Sequence, residues 1–543
     1  MPETNSETLV TGAGDCEVRV HNLLSKEIVK ICTCHTGRVK RLATSPSILN
    51  VFWSAGEDGL VRQYDLRMPH TCDTNDPAIL VDLKTHCGEF TEAKCLSVNP
   101  MKPELIAVGA NDPYIRLYDR RMIKLVKGPC LASPYAISED NLAPGCVKYF
   151  APGHIAGRLK IPERILREYS STYVTFGPNG NEILANIGSE QIYLYDINTS
   201  NSSLLIHHTN DTREINEPLR SYCFGFPDNI LPKNKTKFKL PERINALKLT
   251  GNSLFEKANY AKSMRYYNEA IGEFPYSSVF YSNRAAALMK REWPGDTYAA
   301  LRDCITSLEF GPNNAKAYFR MIRCLFELGW VEESRLGLDT FKQLFPSYAK
   351  LVACRALERD IDSKLLENEN EHFEDSNDYD FPDISSKEYA WRENAKDYML
   401  RFYGHCNTTT DIKEANFFGS DGNYIVAGSD DGSIFIWDRK STNNIRILKG
   451  DSSIVNCVQP HPTSCLLATS GIETRVRLWS PHEEDDRKDE YVVPEMDDVA
   501  EANQRRMQTD PFDIVVMNMS FPGTNEVPVS HHDFVTTYGC HTS

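Results

Sequence analysis

Two hydrophobic rhythms alternate along this chain. In the first, short runs switch between apolar and polar residue by residue and end in an aromatic-aspartate pair. Leu60-Val61-Arg62-Gln63-Tyr64-Asp65, Ile115-Arg116-Leu117-Tyr118-Asp119 and Ile434-Phe435-Ile436-Trp437-Asp438 are the clearest. A period of two puts alternate side chains on opposite faces of an extended strand. An aspartate suited to a tight turn precedes each run, in Asp58-Gly59, Asp112-Pro113 and Asp431-Gly432. Weaker copies end at Tyr195-Asp196, with Ser189 at the turn, and at Trp479-Ser480, with Glu473 there. In such units the turn aspartate can hydrogen-bond an opening histidine, here His35 or His405, and fix the strands without a large core. The pattern predicts five fairly complete blade-like units, and Val10–Asn22 reads as the second half of a sixth.

The second rhythm occupies Leu240 to Pro346, in the middle of the first. Three units, Lys248–Pro275, Ser278–Pro312 and Lys316–Pro346, close on prolines 37 and 34 residues apart, which is the tetratricopeptide period. Small residues at Gly251, Ala285 and Ala300 let antiparallel helices approach, and each proline stops the second helix of its unit. Three units are the minimum for a stable stack. The fold class expected is therefore an all-β WD40 propeller with an inserted all-α tetratricopeptide domain. Propeller blades cover 1–230, the helical repeats 241–365, an acidic linker 366–384 and a connecting helix 385–403. Blades resume over 404–481, and 482–543 is an acidic, irregular tail. Asn198–Glu217 reads as an exposed loop, and Gln504-Arg505-Arg506-Met507 lies where a short helix can begin. The chain reads as starting mid-blade. Either upstream strands are missing from the gene product, or a segment such as Phe512–Tyr538 helps close the ring. The unpaired edges of an open ring favour the first.

Composition narrows the function. A net charge of −15 over 543 residues argues against direct nucleic-acid binding, which relies on neutralising phosphates. The sixteen cysteines are scattered, with one C-x-C at Cys32 and Cys34 and no C-x-x-C, so reduced thiols are expected. No apolar run reaches the ~18–20 residues that span a bilayer, and a soluble protein of cytoplasm and nucleus is expected. His531, His532, Cys540 and His541 match no metal-site spacing. No Gly-rich phosphate loop, H-E-x-x-H or nucleophile elbow is present. The expectation is a protein that is not an enzyme and holds no metal or cofactor.

Two sets of residues carry candidate chemistry. Tyr64-Asp65-Leu66-Arg67 and Tyr118-Asp119-Arg120-Arg121 end adjacent blades, and an arginine two residues past the aspartate offers a planar fork of donors on one rim. The aspartate can instead hold that arginine locally. These boxes resemble the W-D-x-R motifs of substrate receptors that dock on the adaptor of cullin-4 RING ubiquitin ligases. Tyrosine replaces tryptophan here, and the third candidate, Trp437-Asp438-Arg439-Lys440, ends in lysine. In the helical repeats, Lys248, Asn252, Asn283, Lys316 and Arg320 fall on the five positions with which chaperone-binding tetratricopeptide grooves hold an acidic C-terminal peptide. Three cations and two amides on one groove suit carboxylates. The plain alternative is solvated lysines and packing asparagines.

Taken with the central insert, the stretches His35–Arg41, Phe52–Leu60, Asn283–Lys290, Ala300–Cys304 and Gln504–Met507 resemble the WD and tetratricopeptide repeats protein 1 family. The resemblance fades beyond Asp510 and lacks the family's first blade. It implies a non-catalytic substrate receptor of a cullin-4 ligase, with the ligase adaptor and ubiquitination substrates as partners. Histone and histone deacetylase binding, gene repression and restraint of lipid storage are implied with it. Two alternatives stand beside this reading: a chaperone-linked adaptor for acidic C-termini, and a chromatin corepressor scaffold.

Overall fold

The computed structural model describes residues 7–68, 72, 79–124, 142–156, 166–199, 205–207, 213–215, 240–374, 384–481 and 489–508. The expectations for Phe512–Tyr538, for the histidine and cysteine group after His531 and for most of Asn198–Glu217 lie outside these residues. Among the described residues, six antiparallel sheets of three or four strands, and one two-stranded hairpin, follow one another along the chain. The first contains β1 (Thr8–Gly12), β2 (Val18–Asn22) and β3 (Glu27–Cys32). The second contains β4 (Val39–Thr44), β5 (Val51–Gly56), β6 (Leu60–Asp65) and β7 (Ile79–Asp82). The third contains β8 (Ala93–Val98), β9 (Leu105–Ala110), β10 (Ile115–Asp119) and β11 (Val147–Phe150). The fourth begins with β12 (Ser171–Phe176), β13 (Glu182–Ile187) and β14 (Ile192–Asp196), and a separate hairpin follows, β15 (Leu205–His207) with β16 (Arg213–Ile215).

The fourth strand of that fourth sheet lies some 200 residues on. It is β17 (Leu400–Phe402), which pairs with β14 from Ile192↔Phe402 to Leu194↔Leu400. The fifth sheet contains β18 (Ala415–Phe418), β19 (Tyr424–Gly428), β20 (Ser433–Asp438) and β21 (Asn444–Lys449). The sixth contains β22 (Val455–Pro460), β23 (Leu467–Gly471) and β24 (Val476–Trp479). First strands of successive sheets pack side by side, β4 on β8, β8 on β12, β12 on β18 and β18 on β22, as propeller blades do about an axis. Middle strands are covered on both faces by neighbouring blades. Every residue of β5 and of β13 is buried, the polar Ser54, Glu182 and Asn186 included, so burial in these strands does not alternate. Tyr64, Tyr118, Tyr195 and Trp437 hold one position near the end of the third strand in four blades, and all are buried.

The expected turn bond is present in the second sheet. His35 Nδ1 lies 2.9 Å from Asp58 Oδ2, and its Nε2 lies 2.6 Å from Ser54 Oγ. The fifth sheet differs. His405 Nε2 meets Asn186 Oδ1 of the neighbouring blade at 3.1 Å, while Asp431 accepts from the Ser433 backbone and hydroxyl. Burial holds the His405 imidazole down to about 3.

The helical insert enters after the hairpin. Its units are α1 (Glu242–Glu256) with α2 (Tyr260–Glu273), α3 (Ser278–Arg291) with α4 (Asp296–Phe310), and α5 (Ala315–Glu327) with α6 (Val331–Leu344). Asn259 and Asn314 cap α2 and α5, their side chains accepting from Lys262 N and Ala317 N. Gly251 permits the α1–α2 contact, because a Cβ there would sit 2.7 Å from the Tyr267 ring. Helix α7 (Val352–Glu374) runs past 365 into the stretch read as a linker, and α8 (Ser386–Glu393) is shorter than the connecting helix expected over 385–403. The blades resume at Leu400, and the insert splits a single blade between its third and fourth strands. No described helix is long and apolar enough to cross a membrane, and every described cysteine is unbridged.

Buried charge fastens the insert to the blades. Helix α8 brings Glu388 and Arg392 onto the third sheet. There Arg116 Nη2 lies 2.6 Å from Asp112 Oδ2 and 3.0 Å from Glu388 Oε1, and Arg392 Nε donates to Glu388 Oε1 at 2.7 Å. The Tyr149 hydroxyl donates to Glu388 Oε2. At the other end of the joint, Asp296 at the start of α4 binds Arg291 at 2.8 Å and Arg401 of β17 at 2.5 Å. Asp397 accepts from the Gly153 backbone and the Tyr298 hydroxyl. Removing one partner of such a group strands the others in low dielectric. Glu388→Ala is expected to cost roughly 3–5 kcal/mol of stability in thermal or urea unfolding. Although burial opposes ionisation, Arg116 and Arg392 hold the Glu388 carboxyl down to about 2, against an ordinary 4.5. Its contribution is thus complete above pH 4.5 and fades as pH falls toward 2. The stability gap between wild type and Glu388→Gln should close over that window.

Candidate binding surfaces

The two arginine boxes end equivalent strands of adjacent blades, β6 and β10, so they share one rim. In both, the tyrosine is buried and the aspartate and arginine reach the surface. Tyr64 stacks on Phe52 with ring centroids 4.8 Å apart, and burial raises the Tyr118 phenol well above the usual range. Arg67 donates from Nε to Asp65 Oδ1 at 2.9 Å and from Nη2 to Oδ2 at 2.7 Å. Arg121 repeats this on Asp119 at 3.0 and 2.7 Å. Each arginine lowers the carboxyl of its aspartate, chiefly by these hydrogen bonds. The aspartate therefore does hold its arginine locally. The side chains of Arg67 and Arg121 nonetheless remain 63% and 68% exposed, so each guanidinium is oriented by its aspartate while Nη1 stays outside that pair, at 3.7 Å from Glu104 Oε1 in Arg121.

Other members of this rim behave differently. Arg120 was no candidate from sequence, yet it lies 5.2 Å over the Trp53 ring and donates to Gln63 across to the preceding blade. Gln63, the polar residue immediately before the Tyr64-Asp65 pair, is its only trace in sequence. In the fifth blade Asp438 accepts from Ser441, and Arg439 turns to Glu182 of the fourth blade. Among the described residues, the two adjacent boxes thus share the exposed geometry and the fifth-blade box does not.

In the insert, the five groove positions lie on the first helices of the three units. Lys248 and Asn252 are on α1, Asn283 on α3, and Lys316 and Arg320 on α5. Hydrogen bonds join three of these helices. Asn252 Oδ1 accepts from the Tyr267 hydroxyl at 2.7 Å and from Asn283 Nδ2 at 3.1 Å. Arg320 Nη1 donates to the Ser282 carbonyl at 2.9 Å and its hydroxyl at 2.8 Å. Burial pulls the Arg320 guanidinium below the ordinary arginine range. Among the described residues no carboxylate forms an ion pair with Lys248, Lys316 or Arg320. No cluster of three His, Cys, Asp or Glu suited to a metal occurs among the described residues.

A further element, α9 (Met496–Gln508), carries the Gln504–Met507 stretch. Asn503 Nδ2 donates to the Gly404 carbonyl and Gln504 Nε2 to the His405 carbonyl, while Gln508 reaches the Glu292 carbonyl in the insert. The helix thereby spans the joint from blade to repeat.

Comparison with known proteins follows the same division. The profile of the WD domain, G-beta repeat family matches residues 397–438 and 442–480. WD and tetratricopeptide repeats protein 1 of Homo sapiens is 41% identical over 558 residues, covering 96% of this chain and 81% of that protein. DDB1- and CUL4-associated factor 6 of Homo sapiens is 49% identical over 83 residues, which is 15% of this chain and 9% of that one. Among solved structures, the first TPR of Spaghetti (RPAP3) bound to the HSP90 peptide SRMEEVD aligns at 24% identity and a TM-score of 0.21. It covers 23% of this chain and 93% of that one.

The groove cations should separate by stability. Arg320→Ala removes the donor from the Ser282 hydroxyl and from the second lone pair of its helical carbonyl, and is expected to cost about 1–2 kcal/mol. Lys248→Ala and Lys316→Ala should stay within ~0.5 kcal/mol of wild type. Urea denaturation of the three single variants checks this ordering.

Proposed function

The chain belongs to the WD and tetratricopeptide repeats protein 1 family, and we propose that it is a non-catalytic scaffold, the substrate receptor of a cullin-4 RING ubiquitin ligase. The observation that carries this reading is the matched pair of exposed arginines, Arg67 and Arg121, on one rim of adjacent blades. Each is oriented by its own aspartate, so little side-chain freedom is lost when a partner accepts from it. The shorter likeness to a protein named as a DDB1- and CUL4-associated factor supports the same partner. In this reading the rim seats the propeller on the ligase adaptor, and the opposite face and the insert present substrates. The cellular setting we assign is cytoplasm and nucleus, with the gene repression and lipid storage that the family implies. In pull-downs, Arg67→Ala with Arg121→Ala should lose the cullin-4 adaptor while thermal stability is retained. An adaptor yield equal to wild type would exclude this rim as the contact.

A second reading concerns the groove of the insert. Arg320 is partly buried with no counter-charge among the described residues, and Lys248 and Lys316 lie one helical turn from Asn252 and Arg320 on the same helices. An extended peptide ending in carboxylates would supply the missing anions through charge-assisted hydrogen bonds. Because Arg320 also braces the stack, Lys248→Glu with Lys316→Glu is the cleaner test. Calorimetry with a peptide ending in two acidic residues should show binding to wild type and none to the double variant.

A further inference from the structure

The second blade carries a pair of thiols that neither of the binding surfaces uses. The chain leaves β3 through Cys32-Thr33-Cys34 and enters the blade at His35. It leaves β6 through the Arg67 box and reaches Cys72 five residues later. The fold brings these two stretches together. Thr33 N donates to the Cys72 sulfur at 3.3 Å, and the thiol of the next residue, Cys34, hydrogen-bonds the Cys72 thiol. Two cysteines from opposite ends of the blade's first three strands therefore touch.

Their surroundings give the two sulfurs different tasks. Cys72 is exposed, Cys34 half-buried and Cys32 buried. The contacts from Thr33 and Cys34 hold the Cys72 sulfur in place and leave it open to solvent. Cys34 packs against the apolar cluster that includes Val39, Phe52 and Tyr64, which fixes it beside its partner. Burial pushes the Cys34 thiol up to about 12, the Cys72 contact adds to the rise, and Arg62 nearby opposes it. Cys34 is thus shielded from oxidants that reach Cys72. An accessible thiol held against a second, shielded one is poised for disulfide formation.

We infer that Cys72 and Cys34 form an oxidation site, which peroxide converts to a disulfide and thiol reductants restore. The Cys72 sulfur attacks one peroxide oxygen, and the O–O bond breaks. The departing hydroxide takes the Cys72 proton and leaves as water, with a sulfenic acid on Cys72. The Cys34 sulfur then attacks the Cys72 sulfur, so that the S–S bond forms as the S–O bond breaks. The released hydroxide leaves with the Cys34 proton as a second water. Two electrons pass from the sulfurs to peroxide. The bond encloses β4, β5 and β6 and ties the entry of the blade to the chain beyond the Arg67 box. A cross-link of this kind restricts the local opening of the strands it spans.

The test uses the full chain, reduced and then treated with hydrogen peroxide at neutral pH. Non-reducing tryptic mass spectrometry should find residues 31–38 joined to residues 68–84, with a yield roughly tenfold above any link through the exposed Cys465. Cys34→Ser should abolish that link and leave Cys72 as a sulfenic acid that dimedone captures. Cys72→Ser, at an exposed position, should abolish the link and leave Cys34 unlabelled by dimedone. Hydrogen exchange in β4, β5 and β6 should slow several-fold on oxidation of wild type and of neither variant. A link that survives in Cys34→Ser would run through Cys32 and overturns the pairing. Cys72 oxidised no further than Cys465, or linked to Cys34 with exchange unchanged, overturns the inference too.

Discussion

The joint between blades and helices depends on the carboxylate of Glu388 meeting the guanidinium of Arg116. Neither group is solvated, and each is separated by 272 residues of chain from the other. Burying two charges is costly, and the cost is offset only when geometry is good and every remaining lone pair or N–H is used. That condition is met by Asp112, Arg392 and Tyr149, which complete the cluster. A displaced α8 would part Glu388 from Arg116 and Tyr149, and Arg392 from Asp112, leaving only the pair within each side, so the cluster acts less as a source of net stability than as a lock on register. Asp296 and Arg401 repeat the device at the other end, on the strand that completes the split blade.

This lock explains how a blade tolerates an insertion of about 200 residues between its third and fourth strands. Strand β17 is only three residues long and contributes few ladder bonds. It is positioned instead by Arg401 on Asp296 and by Met399 N donating to the Leu194 carbonyl. Gly153 adds a steric constraint, since a Cβ there would lie 2.0 Å from the Tyr298 hydroxyl. Insert and blades are therefore in close contact, held by buried hydrogen bonds. Helix α9 completes the strap from the blades to the turn at Glu292.

Much of the architecture was legible because it is repetitive and local. The strand rhythm ending at Tyr64-Asp65, Tyr118-Asp119 and Trp437-Asp438 marks third strands correctly, and the proline spacing marks the helical units. The His35–Asp58 turn bond also follows from the pattern. The same pattern misplaces His405, because its neighbour in space is Asn186 of another blade and not its own turn aspartate. The residues around Leu400 read as helix from their mixed charges and aromatics. Pairing with β14, invisible in a local window, made them a strand. The acidic stretch after 365 joined α7 as far as Glu374 because helix propagation continues where the preceding turns are already packed.

The candidate sites divide along the same line. That Arg67 and Arg121 stand two residues past an aspartate is a property of the sequence, and so is the spacing of Lys248, Asn252, Asn283, Lys316 and Arg320. Periodicity alone assigns these residues to shared surfaces, because repeats of fixed length carry equivalent positions to equivalent places. Whether a side chain there is free or engaged was decided by tertiary structure. Arg120, adjacent to Arg121, became a brace on Trp53, and Arg320 took hold of Ser282. Blades and insert meet only when segments hundreds of residues apart are brought together, and the buried ion pairs at Glu388 and Asp296 hold them there.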